Sequence, residues 1–268
     1  MDINVRSANF NFKNGLSLNV IQKVNHADTN VIEKRLMQIY GIDAKFKNFK
    51  SIASCVEFTA DIFQEAVDKY RLPFEHMPPS VRTFKSQEWI QYTPEDEDTI
   101  AFCMDGNERI LRHDKVFRPC SIFIKRIYDD IKYINESEEE TFKEKISCSA
   151  HFLRTFIHEW IHNIHTNKIY KRCGINSDCL QSDSPVNKAF DIIDSYRENR
   201  PNFFQRIIIN HSLKKYAATN YMELMAEGLT KIIIDSLSSD YPCLIKNPMD
   251  NLKKLPSFVQ KFIESELG

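Results

Sequence analysis

The sequence predicts an α+β fold in which a small mixed sheet precedes a predominantly helical C-terminal half. Two patterns support this class. Short strand-like runs separated by turn residues occupy residues 81–116, and apolar residues recur with helical spacing after Glu138. The chain has 268 residues, of which 42% are hydrophobic and 27% charged, as in a globular protein with one large domain or a domain plus a smaller lobe.

Residues 1–80 are predicted to form an N-terminal α/β lobe. "NFNFKNGLSLNV" alternates apolar and polar residues around a central Asn-Gly, which indicates a hairpin. "DTNVIEKRLMQIYG" predicts a helix that stops at Gly41, and "TADIFQEAVDKYRL" predicts a second helix capped by Thr59. Pro78-Pro79 break the pattern and mark the expected boundary. The lobe either serves substrate docking or translocation or forms part of the core.

Residues 81–268 are predicted to form the second domain. Its strand-like runs are "VRTF", "EWIQY", "TIAFCM" and "RILRH". The acidic clusters "PEDEDT" and "NESEEE" are interpreted as solvated loops or helix starts. Helical segments follow at residues 147–167, at "SPVNKAFDIIDSYREN" with Ser184 as its cap, at "TNYMELMAEGLTKIIIDSL" and at "LPSFVQKFIESEL".

Composition excludes several functional classes. The net charge is -1, so no overall field is expected to attract the chain to nucleic acid or to an anionic membrane. Only 6 glycines occur, so no glycine-rich phosphate loop is expected. No apolar run reaches 18 residues, which predicts no membrane-spanning helix, and the first residues lack the apolar core of a cleavable signal peptide. The 7 cysteines are scattered without a CxxC pair, which favours reduced thiols in a cytosolic setting.

The stretch "TFIHEWIHNIH" contains the motif HExxH. His158 and His162 are one helical turn apart on the same face, and Glu159 follows the first histidine. In such a motif two neutral imidazoles hold Zn2+ and the glutamate handles the proton of the attacking water. Apolar neighbours predict a buried helix, where a His-Glu-His cluster without partners would be costly. His165 and His151 are expected to lie outside the ligand set, because His165 is about 10.5 Å of helical rise from His158.

The third ligand must therefore come from another segment, and "KKYAATNYMELMAEGLTKI" offers candidates. Glu223 and Glu227 share one helix face together with apolar residues, which directs both carboxylates toward the interior. Asn220 is a good N-cap three residues before Glu223. Two interpretations follow for Glu223: it reaches back to the Asn220 backbone in a capping box, or it coordinates the metal.

The same segment carries a family resemblance. "YAATNYMELMAE", Tyr216 to Glu227, is similar to the signature Y-x-x-T-N-x-x-E-[FY]-F-A-E of the anthrax lethal factor-like zinc metallopeptidases, which the Pro-Pro endopeptidases share. The resemblance covers the chain from His158 to Ile234. It implies that residues 81–268 form a zincin-like catalytic domain. Carried over by position, it implies that His158, His162 and Glu223 bind zinc. It also implies that Glu159 is the general base, that Tyr216 donates a hydrogen bond to the oxyanion, and that Glu227 orients a ligand.

Several positions depart from the family pattern. The interval from His162 to Glu223 is longer than usual, Asn163 stands where an acidic residue is common, and Ala217 replaces a glycine. The aromatic pair before Ala-Glu is Leu224-Met225. None of these positions is an expected ligand, so the departures bear on substrate preference.

The expected function is that of a zinc endopeptidase acting on a protein or peptide substrate. The resemblance further implies a bacterial toxin or effector, secreted without a cleavable signal peptide and acting in the host cytosol; otherwise the chain is cytoplasmic. Two alternatives stay open. One is another HExxH effector protease with a different third ligand, and the other is a non-catalytic binding module that zinc stabilises.

Overall fold

The computed structural model describes residues 24–70, 77–84, 100–103, 111–112, 115–116, 120–175, 184–237 and 255–267. Helices within these ranges are α1 (Thr29–Tyr40), α2 (Lys50–Tyr70), α3 (Ile131–Lys143), α4 (Arg154–Arg172), α5 (Ser184–Glu198), α6 (Phe203–Ser212), α7 (Tyr221–Leu237) and α8 (Ser257–Leu267). Two 3-10 turns are η1 (Arg126–Tyr128) and η2 (Tyr216–Ala218). The strands are β1 (Asp43–Lys45), β2 (Ser80–Phe84), β3 (Ala101–Cys103), β4 (Leu111–Arg112), β5 (Lys115–Val116) and β6 (Ile122–Lys125).

The main sheet has four strands in the order β1-β2-β6-β3. Strands β1, β2 and β6 run parallel, whereas β3 pairs antiparallel with β6 at the edge. All four residues of β6 are buried, as expected for a central strand covered on both faces. The predicted α+β class is confirmed, because the described residues are mostly helical and contain a small mixed sheet.

Several predicted boundaries agree with the structure. Gly41 ends α1 in the left-handed conformation, with a φ of 70°, and its N–H donates to the carbonyl of Met37 at 3.1 Å. Strands β2 and β3 fall within "VRTF" and "TIAFCM" or one residue beyond. Helix α5 begins at Ser184, within one residue of the expected start. The Asn-Gly hairpin, "EWIQY" and "PEDEDT" lie outside the described residues.

The prediction that Thr59 caps a helix is wrong. Helix α2 already begins at Lys50, and Thr59 lies inside it with its hydroxyl donating to the carbonyl of Cys55 at 2.7 Å. The free N–H groups of Ser51 and Ile52 at the helix start are instead accepted by the carboxylate of Asp129, at 2.8 and 3.2 Å. The cap is thus supplied by a residue far along the chain.

The interpretation of "NESEEE" as a solvated loop or helix start is wrong in part, since Glu136 and Glu140 are exposed but the rest of the segment is not. It lies inside α3, where Glu138 and Glu139 are 2% and 5% exposed. Glu138 accepts hydrogen bonds from the backbone and the hydroxyl of Thr155 at the start of α4. The predicted helix at 147–167 begins later, since α4 spans Arg154 to Arg172.

Residues on both sides of Pro78-Pro79 contribute to one hydrophobic core. Strand β1 pairs with β2 across this point of the chain, and Phe63 of α2 stacks on Trp160 of α4 with ring centroids 5.9 Å apart. The division of the chain at this point stays a prediction. None of the helices in the described residues combines the length and the apolar character needed to cross a membrane.

Candidate metal centre

The HExxH motif lies on α4, a helix buried on nearly every side. Trp160, Ile161 and Ile164 are at most 1% exposed, and the helix contacts α7, β3 and α5. Such an environment holds side chains in single conformations because close packing leaves no room for alternatives. The helical spacing brings the rings of His158 and His162 together, with centroids 4.6 Å apart.

Helix α7 supplies Glu223 to the same place. Asn220 caps this helix, because its side-chain oxygen accepts the N–H of Glu223 at 2.9 Å. The carboxylate of Glu223 turns toward α4, where Oε2 lies 3.0 Å from Nε2 of His158 and 3.3 Å from Nε2 of His162. Of the two interpretations of Glu223, the structure therefore shows the arrangement that coordination requires.

The three atoms form a compact triangle suited to a metal ion. The two Nε2 atoms are 3.0 Å apart, which completes sides of 3.0, 3.0 and 3.3 Å. Two ligands of a tetrahedral zinc, each about 2.0–2.2 Å from the ion, lie roughly 3.3–3.6 Å apart, so the triangle is only slightly tighter. Oε2 of Glu223 is buried and faces both rings. His158, His162 and Glu223 thus fit a divalent cation that accepts nitrogen and oxygen ligands.

Glu227 lies behind this triangle, on the far side of the His158 ring. Its Oε1 is 2.9 Å from Nδ1 of His158, and its Oε2 accepts the N–H of Cys148 at 2.9 Å. Arg154 forms an ion pair with the same carboxylate. Burial alone would raise the pKa of Glu227, but Arg154 and His158 outweigh this effect and lower it to about 2. Glu227 is therefore an ionised group that can orient the imidazole.

The environment of the His158 ring favours a positive charge. Burial by itself lowers the pKa of His158, but the carboxylates of Glu223 and Glu227, one near each ring nitrogen, raise it to about 9. The same arrangement attracts a metal cation, because a cation at Nε2 satisfies the carboxylate of Glu223 while Nδ1 stays beside Glu227.

Arg154 is a functional candidate that the sequence analysis missed. It lies four residues before His158 on the same helix, and its guanidinium lies between the carboxylate of Glu227 and the ring of Tyr216, 5.7 Å from the ring centroid. The signal was present as a basic residue one turn before the motif. A lone arginine at a helix start is usually exposed, so its sequence position alone does not indicate a functional role.

Tyr216 borders the triangle from η2. Its ring centroid lies 5.6 Å from that of His158, and its N–H donates to the carbonyl of Ile146 at 3.0 Å, which fixes the turn. Burial, with the carboxylates of Glu223 and Glu159, raises the pKa of Tyr216. The phenol therefore keeps its proton at neutral pH and can donate a hydrogen bond.

A cleft of about 190 Å³ opens in front of the triangle. Glu159, His162, Tyr216 and Glu223 line it, and strand β3 forms one wall. Glu159 is only 7% exposed, so this carboxylate faces a sheltered space next to the proposed ligands. A general base needs this position, close to the reacting atoms and shielded from bulk water.

The other two histidines near the motif do not join the cluster. Nε2 of His165 lies 3.2 Å from Glu266 of α8, and Nδ1 of His151 accepts the N–H of Leu153 at 3.2 Å. Each has a structural partner away from the triangle.

Comparisons of the chain with protein-family models, with curated proteins and with solved structures found no match. A function for the chain has therefore to be inferred from its motifs and from the geometry of the cleft.

Proposed function

We propose that the chain is a zinc-dependent endopeptidase with a zincin-like catalytic domain, which hydrolyses peptide bonds in a protein substrate. One observation carries the proposal. Nε2 of His158, Nε2 of His162 and Oε2 of Glu223 come from two helices and lie 3.0–3.3 Å from one another. His162 and Glu223 line a cleft that also contains Glu159. The resemblance to the lethal factor-like family in the same segments supports it.

Each residue around the cleft has a role in this proposal. Zn2+ would be held by His158, His162 and Glu223. When bound, it would act as a Lewis acid and lower the pKa of a water molecule to about 7. Glu159 accepts a proton from the attacking water and transfers it to the leaving amine. Tyr216 donates its hydroxyl hydrogen to the oxyanion that develops on the scissile carbonyl.

The number of ligands argues against a purely structural zinc. Structural sites usually have four protein ligands, often cysteines, whereas catalytic sites have three and keep a position for water or substrate. Among the described residues, the cluster contains three candidates and no cysteine. The alternative of a different third ligand is tested by Glu223→Ala, since stoichiometric zinc retained by this variant would favour it.

Glu159→Ala tests the catalytic proposal. We expect this variant to bind one zinc ion per chain and to keep its fold, but to lose peptide cleavage, because Glu159 is proposed to move the proton without binding the metal. Cleavage is measured on a denatured peptide library, with and without a zinc chelator, by mapping the new termini. Glu140→Ala, an exposed carboxylate on α3, is the matched control and should cleave normally. Unchanged cleavage by Glu159→Ala would refute the assigned base.

The proposal includes a role as a secreted bacterial effector that acts in a host cytosol. It comes from the family resemblance. Producing the wild type and Glu159→Ala inside host cells and comparing newly formed protein termini would test it. Host proteins cleaved only by the wild type are the expected result.

A further inference from the structure

Helix α6 presents its apolar side to solvent. Phe203, Phe204, Ile207 and Ile208 are 63%, 76%, 53% and 47% exposed. At about 100° per residue these four side chains span roughly 140° of the helix surface. Ile209, the buried residue of this helix, points almost directly away from that arc. The helix is therefore amphipathic with its larger apolar side facing outward, which is unusual for a helix that only supports a core.

The chain around this helix is strongly basic. Residues 199–215 contain Arg200, Arg206, Lys214 and Lys215 and no aspartate or glutamate, so this segment carries four positive charges in a chain of net charge -1. Arg200, which precedes α6, and Lys215, which follows it, are both exposed. Composition of the whole chain hides this local charge, because acidic residues elsewhere compensate for it.

We infer that α6 binds the surface of an anionic membrane. Phe203, Phe204, Ile207 and Ile208 enter the boundary between headgroups and acyl chains, and the exposed Arg200 and Lys215 contact the phosphates. An apolar helix face with basic residues around it is the arrangement by which helices lie in a membrane interface. This mode needs no membrane-spanning segment.

Charge and shape favour lipid over another protein surface. A symmetric contact between two copies would bring two segments of four positive charges together without an acidic residue in either, which is repulsive. Adjacent Phe203 and Phe204, with ring centroids 5.7 Å apart, project from one helix and would need a matching pocket on a protein partner. A fluid lipid interface accommodates projecting rings without such a pocket.

The face is formed without a partner. Asn202 and Gln205 make a reciprocal capping box, with both hydrogen bonds at 2.9 Å, so the N-terminus of α6 is fixed by residues of the chain itself. Helix α6 contacts η2, which carries Tyr216.

Co-sedimentation of the full chain with vesicles tests the inference. We expect binding to phosphatidylcholine vesicles that contain phosphatidylserine, no binding to phosphatidylcholine alone, and weaker binding as salt is raised. The double variant Phe203→Ser/Phe204→Ser should bind at least about tenfold more weakly, because two large rings leave the interface. Arg200→Glu/Lys215→Glu should also weaken binding.

The matched control is Val31→Ser/Ile39→Ser on α1, which removes two apolar side chains of 59% and 57% exposure outside the basic segment. It should bind like the wild type. The inference is overturned if the wild type ignores anionic vesicles, or if the Phe203→Ser/Phe204→Ser variant binds as tightly as the control. Self-association of the wild type that this variant abolishes, measured by sedimentation equilibrium without lipid, would instead identify a second copy as the occupant. Vesicle binding does not require zinc or catalysis, so Glu159→Ala should bind normally whatever its activity.

Discussion

Glu227 lies 2.9 Å from Nδ1 of His158, while Glu223 lies 3.0 Å from Nε2 of the same ring. One imidazole is therefore held between two carboxylates that are one turn apart on α7. The carboxylate of Glu227 is in turn fixed by Arg154 and by the N–H of Cys148. The orientation of His158, the first proposed zinc ligand, thus depends on the buried ion pair between Glu227 and Arg154.

Glu227→Gln should weaken zinc binding by about 10- to 100-fold, because the amide keeps the shape of the side chain but no longer stabilises the ring electrostatically. Competition titration with a chelator measures the affinity. Glu138→Gln is the matched control, since Glu138 is a buried carboxylate that interacts with Arg154 but not with His158. Equal zinc affinity of both variants and the wild type would show that Glu227 does not orient the ligand.

Tyr216→Phe should lower kcat by about 10²- to 10³-fold while zinc affinity stays unchanged, because only the hydroxyl that donates to the oxyanion is removed. Steady-state cleavage of a mapped peptide and a zinc titration give the two quantities. Tyr133→Phe removes a hydroxyl from another exposed tyrosine and should leave both unchanged. A loss of zinc with an unaltered kcat per bound zinc would contradict the assigned role.

Gly228→Ala should destabilise the fold by about 1–2 kcal/mol. A methyl group there would lie 2.8 Å from Cδ1 of buried Ile263, and this overpacking exceeds the gain of up to about 1 kcal/mol in helix propensity. In an Ile263→Val background, which lacks Cδ1, the same substitution should be neutral or stabilising by up to about 1 kcal/mol. Denaturant unfolding of the wild type, the two single variants and the double variant measures the coupling between the two positions. If Gly228→Ala lowers the free energy of unfolding equally in both backgrounds, the contact between α7 and α8 is not the cause.

Glu266 should make the fold sensitive to acid. Burial alone would raise its pKa, but contacts with His165, Tyr196 and Arg172 lower it from 4.5 to about 2. Because the folded state has the lower pKa, Glu266 contributes stability above pH 4.5 that is lost as the pH falls toward 2.

The variant Glu266→Gln isolates this contribution. Its free energy of unfolding should lie below that of the wild type at neutral pH, and the difference should shrink between pH 4.5 and 2. Glu264→Gln, on the same helix but outside this cluster, should show no such convergence. A difference for Glu266→Gln that is constant with pH would mean that the lost contacts are not ionic.

Sequence alone could predict the features that local geometry determines. The spacing of His158 and His162 places both rings on one face of any helix, and the end of α1 at Gly41 follows from its backbone freedom. Features that depend on distant partners were not predictable in this way. Whether Glu223 turns back to its own helix or toward the histidines is decided by α4, and the start of α2 is decided by Asp129, 78 residues after Ser51.

Buried charges account for the remaining differences. Glu138 looks solvated in the sequence because it stands among other acidic residues, yet Thr155 and Arg154 give it partners in the interior. Arg154 was likewise not predicted to be functional, because its partners Glu227 and Glu138 lie on other helices. A charged residue is expected at the surface until its partner is known, and here the partners come from other helices.

The two helices that form the triangle emerge from the ribosome at different times. Glu223 follows His162 by 61 residues (223 − 162), which corresponds to about 3–12 s of synthesis at roughly 5–20 residues per second. During this interval the nascent chain presents a pair of imidazoles without their carboxylate. The complete cluster can arise only after α7 has been made and has packed against α4, so binding of the proposed metal would be a late event in the biogenesis of the protein.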